Sequence, residues 1–289
     1  MEINSGNMIK LIECPRDAMQ GWKNFIPTEK KIHYINSLLK VGFDTIDFGS
    51  FVSAKAIPQM ADTAEVVRGL ESGVGSTKLL AIVANLRGAE EAAVFDQITY
   101  LGFPFSVSET FQQRNTNSSI DESLKRVEEI QHLCTNKKKK LIIYISMAFG
   151  NPYDDLYDAD IVFNWVEKLV ELDIEIISLA DTVGIATPGQ VYDMTSYLVE
   201  SLPATEIGVH LHSTFENWHQ KLDAAAKAGC KRFDGALKGI GGCPMAHDEL
   251  VGNMNTEWMI DYFEKHGINA GLDKNALQES LRIAEEIFV

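Results

Sequence analysis

The sequence predicts an α/β fold, a closed (β/α)8 barrel with an additional C-terminal helix, and three observations carry that prediction. Short apolar stretches alternate with longer amphipathic ones at the spacing of βα units. Eight such pairs fit along 289 residues without an obvious linker, a length ordinary for one such barrel, so residues 1–289 are expected to form a single catalytic domain. The rival architecture, an open doubly wound sheet, would carry a Gly-x-Gly-x-x-Gly turn after its first strand, and the sequence has none there.

The strands are expected at Lys10–Glu13, Thr45–Phe51, Lys78–Ala84, Gln97–Val107, Leu141–Ala148, Glu175–Ala180, Gly208–His212 and Arg232–Leu237. Helical periodicity follows each of them, for example over Thr28–Val41, Ile120–Cys134, Asp160–Leu172, Gln190–Leu202 and Trp218–Ala228. Thr28 and Pro188 stand where a cap or first-turn residue belongs, and Ser119 opens a Ser-Ile-Asp-Glu capping box. Gly42, Gly73 and Gly229 stand where helices stop. Asp273–Val289 reads as one more amphipathic helix, packed on the barrel.

Composition excludes several function classes. A net charge of −15 argues against nucleic-acid or membrane-surface binding, which need a positive footprint. The basic run Lys137 to Lys140 reads as a solvated turn entering a strand. No apolar run reaches membrane-spanning length, and Met1-Glu-Ile-Asn-Ser-Gly lacks a signal-peptide pattern. Cys14, Cys134, Cys230 and Cys243 are scattered, so a reducing cytoplasm is the expected location.

In this architecture functional groups collect at the C-terminal ends of the strands. Val209-His-Leu-His-Ser213 places His210 and His212 two apart on a strand, on one face. A hydrogen-bonded core pair is one account of them; a divalent cation is the better one. Oxygen donors are at hand in Asp17 and Asn253, and two nitrogens with two oxygens suit six-coordinate Mg2+ or Mn2+. Arg16, directly after the first strand, can stabilise a developing enolate oxygen. Cys243 lies in Gly239-Ile-Gly-Gly-Cys-Pro244, a glycine-rich segment able to close over a ligand. Glu13, Asp47, Ser50, Asp181 and Thr182 fall at the same rim. Lys238 is expected to pair with Asp234, and His219 and His247 read as surface histidines.

From about Ile9 to Gly271 the chain resembles the 3-hydroxy-3-methylglutaryl-CoA lyase family, metal-dependent lyases with a barrel related to that of isopropylmalate and homocitrate synthases. The most specific stretch is Ser50-Phe-Val-Ser-Ala-Lys-Ala-Ile-Pro-Gln-Met-Ala-Asp62. Glu13-Cys-Pro-Arg-Asp-Ala-Met-Gln20, Ser178-Leu-Ala-Asp-Thr-Val-Gly-Ile-Ala-Thr-Pro-Gly189, Val209-His-Leu-His212 and Gly241-Gly-Cys-Pro244 support it. The resemblance implies Asp17, His210, His212 and Asn253 as metal ligands and Arg16 as the enolate-stabilising arginine. It implies Cys243 in proton transfer, Asp47 and Asp181 beside the reacting centre, and Gln20 with Thr182 along the substrate pocket. The implied reaction cleaves 3-hydroxy-3-methylglutaryl-CoA to acetoacetate and acetyl-CoA, and the family suggests a homodimer. Ser213 stands where the family usually has aspartate, and Lys238 where it has an apolar or small residue. A lyase for another 3-hydroxy acid or acyl-CoA, or a condensing synthase, remains an alternative.

Overall fold

The computed structural model describes residues 9–71, 75–242 and 251–289. Eight parallel strands close into a barrel in sequence order, β1 (Lys10–Glu13), β2 (Thr45–Ser50), β3 (Lys78–Ile82), β4 (Ile98–Ser106), β5 (Lys140–Ser146), β6 (Ile176–Asp181), β7 (Glu206–Leu211) and β8 (Arg232–Gly235). Closure comes from β8 pairing back on β1, from Lys10 opposite Arg232 to Glu13 opposite Gly235. A closed ring of this kind is a TIM barrel, and it excludes the open sheet.

Strand alternation sorts the apolar residues into two layers. On β5, Ile142 and Tyr144 join Leu80, Tyr100 and Ile176 in a cluster filling the lumen. Leu141, Ile143 and Ile145 point outward and join the larger core between strands and helices.

The helices supply the outer layer: α2 (Thr28–Val41), α3 (Thr63–Gly69), α4 (Leu86–Ala93), α6 (Ile120–Asn136), α7 (Ala159–Glu171), α8 (Pro188–Ser201), α9 (Trp218–Lys227) and α10 (Thr256–Lys265). Two further short helices stand outside the eight expected βα pairs, α1 (Pro15–Gln20) and α5 (Glu109–Thr116). The local signals held. Ser119 and Glu122 form a complete capping box on α6, and Thr187 with Gln190 forms another on α8, behind Pro188 in its first turn. Gly42 takes φ 90° after α2 and Gly229 takes φ 88°, conformations closed to most side chains. Gly73 lies outside the described residues.

The C-terminal helix α11 (Lys274–Ile287) lies along α2, with the Ser280 and Ser37 hydroxyls 3.0 Å apart between them. Phe288, just past it, sets its ring edge-on to Trp22 at 5.3 Å and to Tyr34 at 6.1 Å. The last strand is shorter than the sequence pattern predicts. The buried Glu13 carboxyl captures the Leu237 backbone N–H at 2.8 Å, and Lys238 adopts φ 62° in a 3-10 turn over Leu237–Gly239. Among the described residues no helix is long and apolar enough to cross a membrane.

Candidate active site

The first turn after β1 builds one wall. Pro15 opens α1, which sets Arg16 and Asp17 at the mouth of the barrel. Asp17 is buried yet well supplied with donors. Its Oδ1 accepts from Arg16 Nη1 at 2.9 Å and Gln20 Nε2 at 2.5 Å, and its Oδ2 accepts from Asn253 Nδ2 at 2.9 Å. Burial alone would raise its pKa; the Arg16 charge, with His210, His212 and the Asn253 bond, outweighs that and holds the carboxyl below its ordinary value.

β7 builds the opposite wall. His210 Nε2 lies 4.0 Å from Asp17 Oδ2, and the two imidazole centroids are 5.3 Å apart. His212 turns Nδ1 to the Thr182 carbonyl at 3.0 Å, which assigns the proton to Nδ1 and the lone pair to Nε2. Burial first, then the charge of His210, pushes the His212 pKa down to about 4, so this ring is neutral at physiological pH. His210 moves the other way: burial opposes the shift, but the Asp234 hydrogen bond and the charges of Asp234 and Asp17 raise it. The carboxylates that draw a proton there would equally draw a divalent cation.

Whether the residues fit a cation can be judged from their unused atoms. Nitrogen and oxygen atoms of Asp17, His210 and His212 all lie within 4.8 Å of one another. His212 Nε2 and Asn253 Oδ1 are buried and have no hydrogen-bond partner among the described residues. Orphaned buried polar atoms are costly unless something binds them. One carboxylate, two imidazoles and one amide oxygen make a donor set suited to a hard or borderline divalent ion. The residues fit.

Arg16 sits between this set and β2. Its Nε lies 3.0 and 3.2 Å from the two Asp47 oxygens, and Nη2 lies 2.5 Å from Asp47 Oδ2. Burial pushes the Asp47 pKa up to about 6 although Arg16 opposes it, which leaves the carboxyl ionised at neutral pH. The Arg16 pKa rises despite burial, because Asp47 and Asp17 together outweigh the cost.

Asp181 and Thr182 stand one step back. Asp181 accepts Lys221 Nζ at 2.6 Å and the Ala186 N–H at 3.0 Å, and Lys221 also reaches the His212 carbonyl at 2.9 Å. Thr182 offers its carbonyl to His212 and its hydroxyl to the Met147 N–H at 2.8 Å. Both residues therefore brace His212. Cys243 and His247 lie outside the described residues, while His219 is exposed as the sequence indicated.

Three contributors were missed or misread. Lys238 does not pair with Asp234; its left-handed turn carries the ammonium outward to Glu285 on α11 at 2.8 Å. Asp234 instead faces His210 Nδ1 at 3.2 Å, as the direct pairing of those residues across β7 and β8 dictates. Lys221 falls within the expected helix Trp218–Ala228, where nothing singled it out, but it is buried and donates to the His212 carbonyl. Aligning β7 with β8 on the sequence would have exposed Asp234; nothing local marks Lys221.

The sequence and the fold are similar to those of known proteins. The HMGL-like family model matches residues 9–283. The mitochondrial hydroxymethylglutaryl-CoA lyase of Bos taurus is 34% identical over 94% of this chain and 83% of its own length. The cytoplasmic 3-hydroxy-3-methylglutaryl-CoA lyase of Rattus norvegicus is 34% identical over 94% of this chain and 79% of its own. Among solved structures, an HMG-CoA lyase from Acinetobacter baumannii, in complex with coenzyme A and 3-methylmalate, superposes with a TM-score of 0.91 at 32% identity, covering 100% of this chain and 93% of that one. The HMG-CoA lyase from Brucella melitensis gives a TM-score of 0.90 at 30% identity, covering 98% and 99%. With the family model spanning nearly the whole barrel and relatives above 30% identity matching along it, this chain belongs to the HMGL-like family.

Proposed function

We propose that the protein is a carbon–carbon lyase that cleaves 3-hydroxy-3-methylglutaryl-CoA to acetoacetate and acetyl-CoA with Mg2+ or Mn2+. One observation carries the reading: Asp17, His210, His212 and Asn253, drawn from α1, the end of β7 and the approach to α10, converge beside Arg16. These four residues would hold the cation. When bound, it supplies Lewis acidity toward an oxygen-rich substrate and lowers the pKa of its hydroxyl.

The chain's own groups then divide the work. Thr182 and Lys221 fix His212 from its ring nitrogen and its backbone carbonyl. Gln20 and Arg16 hold one oxygen of Asp17, so the other faces His210. Cleavage breaks the bond between the thioester's α-carbon and the hydroxyl-bearing carbon, which becomes the ketone of acetoacetate as the hydroxyl loses its proton. The electron pair passes to the thioester, giving an acetyl-CoA enolate that takes up a proton at carbon. Of the five N–H donors of a guanidinium, the bonds to Asp47 and Asp17 occupy one on each nitrogen, leaving two for the enolate oxygen. Asp47 keeps the Arg16 fork aimed. Cys243 is assigned the return of the proton by family resemblance alone.

A thioester substrate is supported by the coenzyme A bound in the Acinetobacter relative. We read residues 1–289 as one catalytic barrel in a reducing compartment, in keeping with free Cys14, Cys134 and Cys230. The test offers purified protein and Mg2+ or Mn2+ the methylglutaryl thioester, with Arg16→Met as control. Acetoacetate and acetyl-CoA should form in equal amounts only with the cation. Cation retained without acetoacetate, alongside turnover of another 3-hydroxy acid, would transfer the assignment to that acid.

A further inference from the structure

Behind the ligand set the lumen holds polar side chains to which the proposed reaction gives no role. On β8, Phe233 points outward, its ring 4.9 Å from that of Phe263 on α10. Alternation therefore turns Arg232 and Asp234 inward. Both are fully buried, and Arg232 is the largest such side chain among the described residues. Its place is prepared on the neighbouring strand, where Gly208 lies opposite it. A Cβ on Gly208 would stand 3.0 Å from Arg232 Cδ and 3.1 Å from Cγ, so the glycine leaves room for the arginine stem.

The guanidinium then has few partners. Nη1 lies 3.4 Å from Glu206 and 4.0 Å from Asp44 Oδ1, and the Tyr100 ring is 5.9 Å away. Nε, Nη2 and Asp234 Oδ1 have no hydrogen-bond partner among the described residues. A buried guanidinium needs a nearby counter-charge. Asp234 stands two residues along β8, on the same inward face as Arg232. Asp234 Oδ2 is the oxygen that faces His210 Nδ1.

We infer that Asp234, with the Arg232 charge on the same inward face of β8, is the positioning residue that holds the proton of His210 on Nδ1 and presents Nε2 to the cation. A carboxylate only accepts, so its bond to Nδ1 fixes both the tautomer and the ring plane. Asp234 orients His210 and His210 the cation, with the Arg232 charge on the same strand face behind them. The inference rests on the cation centre proposed above and adds two residues to its construction.

The test uses the full chain, stripped of metal and then titrated with Mn2+ alone. In alkaline buffer, the 15N spectrum of metal-free protein, with His210 identified by its loss in His210→Phe, should show a protonated Nδ1 and a bare Nε2. Asp234→Asn should mix the tautomers and weaken Mn2+ binding by about 10- to 100-fold. Asp234→Glu, which restores the acceptor, should recover part of that affinity. Arg232→Met, which keeps the stem and removes the charge, should weaken binding in the same direction by less. Should Asp234→Asn fail to fold, the wild-type spectrum and Arg232→Met carry the test. A proton on Nε2 in the wild-type protein, or equal Mn2+ affinity in wild type and Asp234→Asn, overturns this inference alone. A wild-type protein that takes no Mn2+ overturns the cation centre and this inference together.

Discussion

His212 and Asn253 pair across an isolated antiparallel bridge joining the end of β7 to the segment before α10. Backbone bonds flank it, Ser213 N–H to Gly252 at 2.9 Å and Met254 N–H to Leu211 at 3.0 Å. The bridge sets two donor atoms, distant in sequence, in fixed relation. That rigidity is what a metal site needs from its scaffold.

It follows that His212→Ala and Asn253→Ala should each lower Mn2+ affinity by at least ~10-fold, measured by calorimetry on protein that keeps its native circular dichroism. Asn253 also donates to the Ile240 carbonyl at 2.8 Å, so its loss should loosen the segment after β8 as well. Affinity unchanged in both variants would exclude these residues as ligands.

Arg16 is expected to resist conservative replacement. Lysine is a point charge and cannot span Asp47 and Asp17 as the guanidinium does. Arg16→Lys should therefore lose most of what Arg16→Met loses, roughly 100- to 1000-fold in kcat, with a smaller change in Mn2+ affinity. Single-turnover cleavage of the thioester gives the number. Near wild-type turnover in Arg16→Lys would assign the enolate to another donor.

Lys221 and Asp181 form a buried pair, each side chain 1% exposed. Removing one charge strands the other, so Lys221→Met should cost on the order of 3 kcal/mol in urea unfolding. The double variant Lys221→Met with Asp181→Leu should regain much of that stability. It should still bind Mn2+ weakly, because the His212 carbonyl has lost its anchor. Additive losses in the double variant would show that the two residues act separately.

The barrel, and the meeting of the candidate ligands at one rim, were legible in the sequence largely because both are written in periodicities. Alternation placed His210 and His212 on one face, and βα spacing placed Asp17 and Arg16 at the same rim. What orients those groups was hidden, because it depends on register and on side-chain reach. Asp234 becomes a partner of His210 only once β7 and β8 are set side by side. Lys238 looked close to Asp234 in sequence, yet one residue at φ 62° sends it to Glu285 instead. Lys221 offers no sequence sign that its helix face lies over the end of β7.

Glu13 provides the pH test, since it is not one of the proposed cation ligands. One carboxyl oxygen accepts the Leu237 N–H at 2.8 Å and the other meets the Thr256 hydroxyl at 2.6 Å, so this side chain ties β1 to both ends of the β8–α10 connection. Burial raises its pKa from 4.5 to about 8, although both hydrogen bonds work against the shift. Between those values the folded protein holds a proton that the unfolded chain has released, and stability must fall as pH rises through that window. Below it the group is neutral in both states, and above it both are ionised, so the slope should flatten at each end. Glu13→Gln keeps the acceptor for Leu237, offers an amide to Thr256 and removes the titration. In urea unfolding across the window, the variant should match the wild type at the acid end and exceed it at the alkaline end by on the order of 5 kcal/mol. Parallel pH profiles for the two proteins would show that Glu13 is ionised in the fold and that its charge is balanced by a group not identified above.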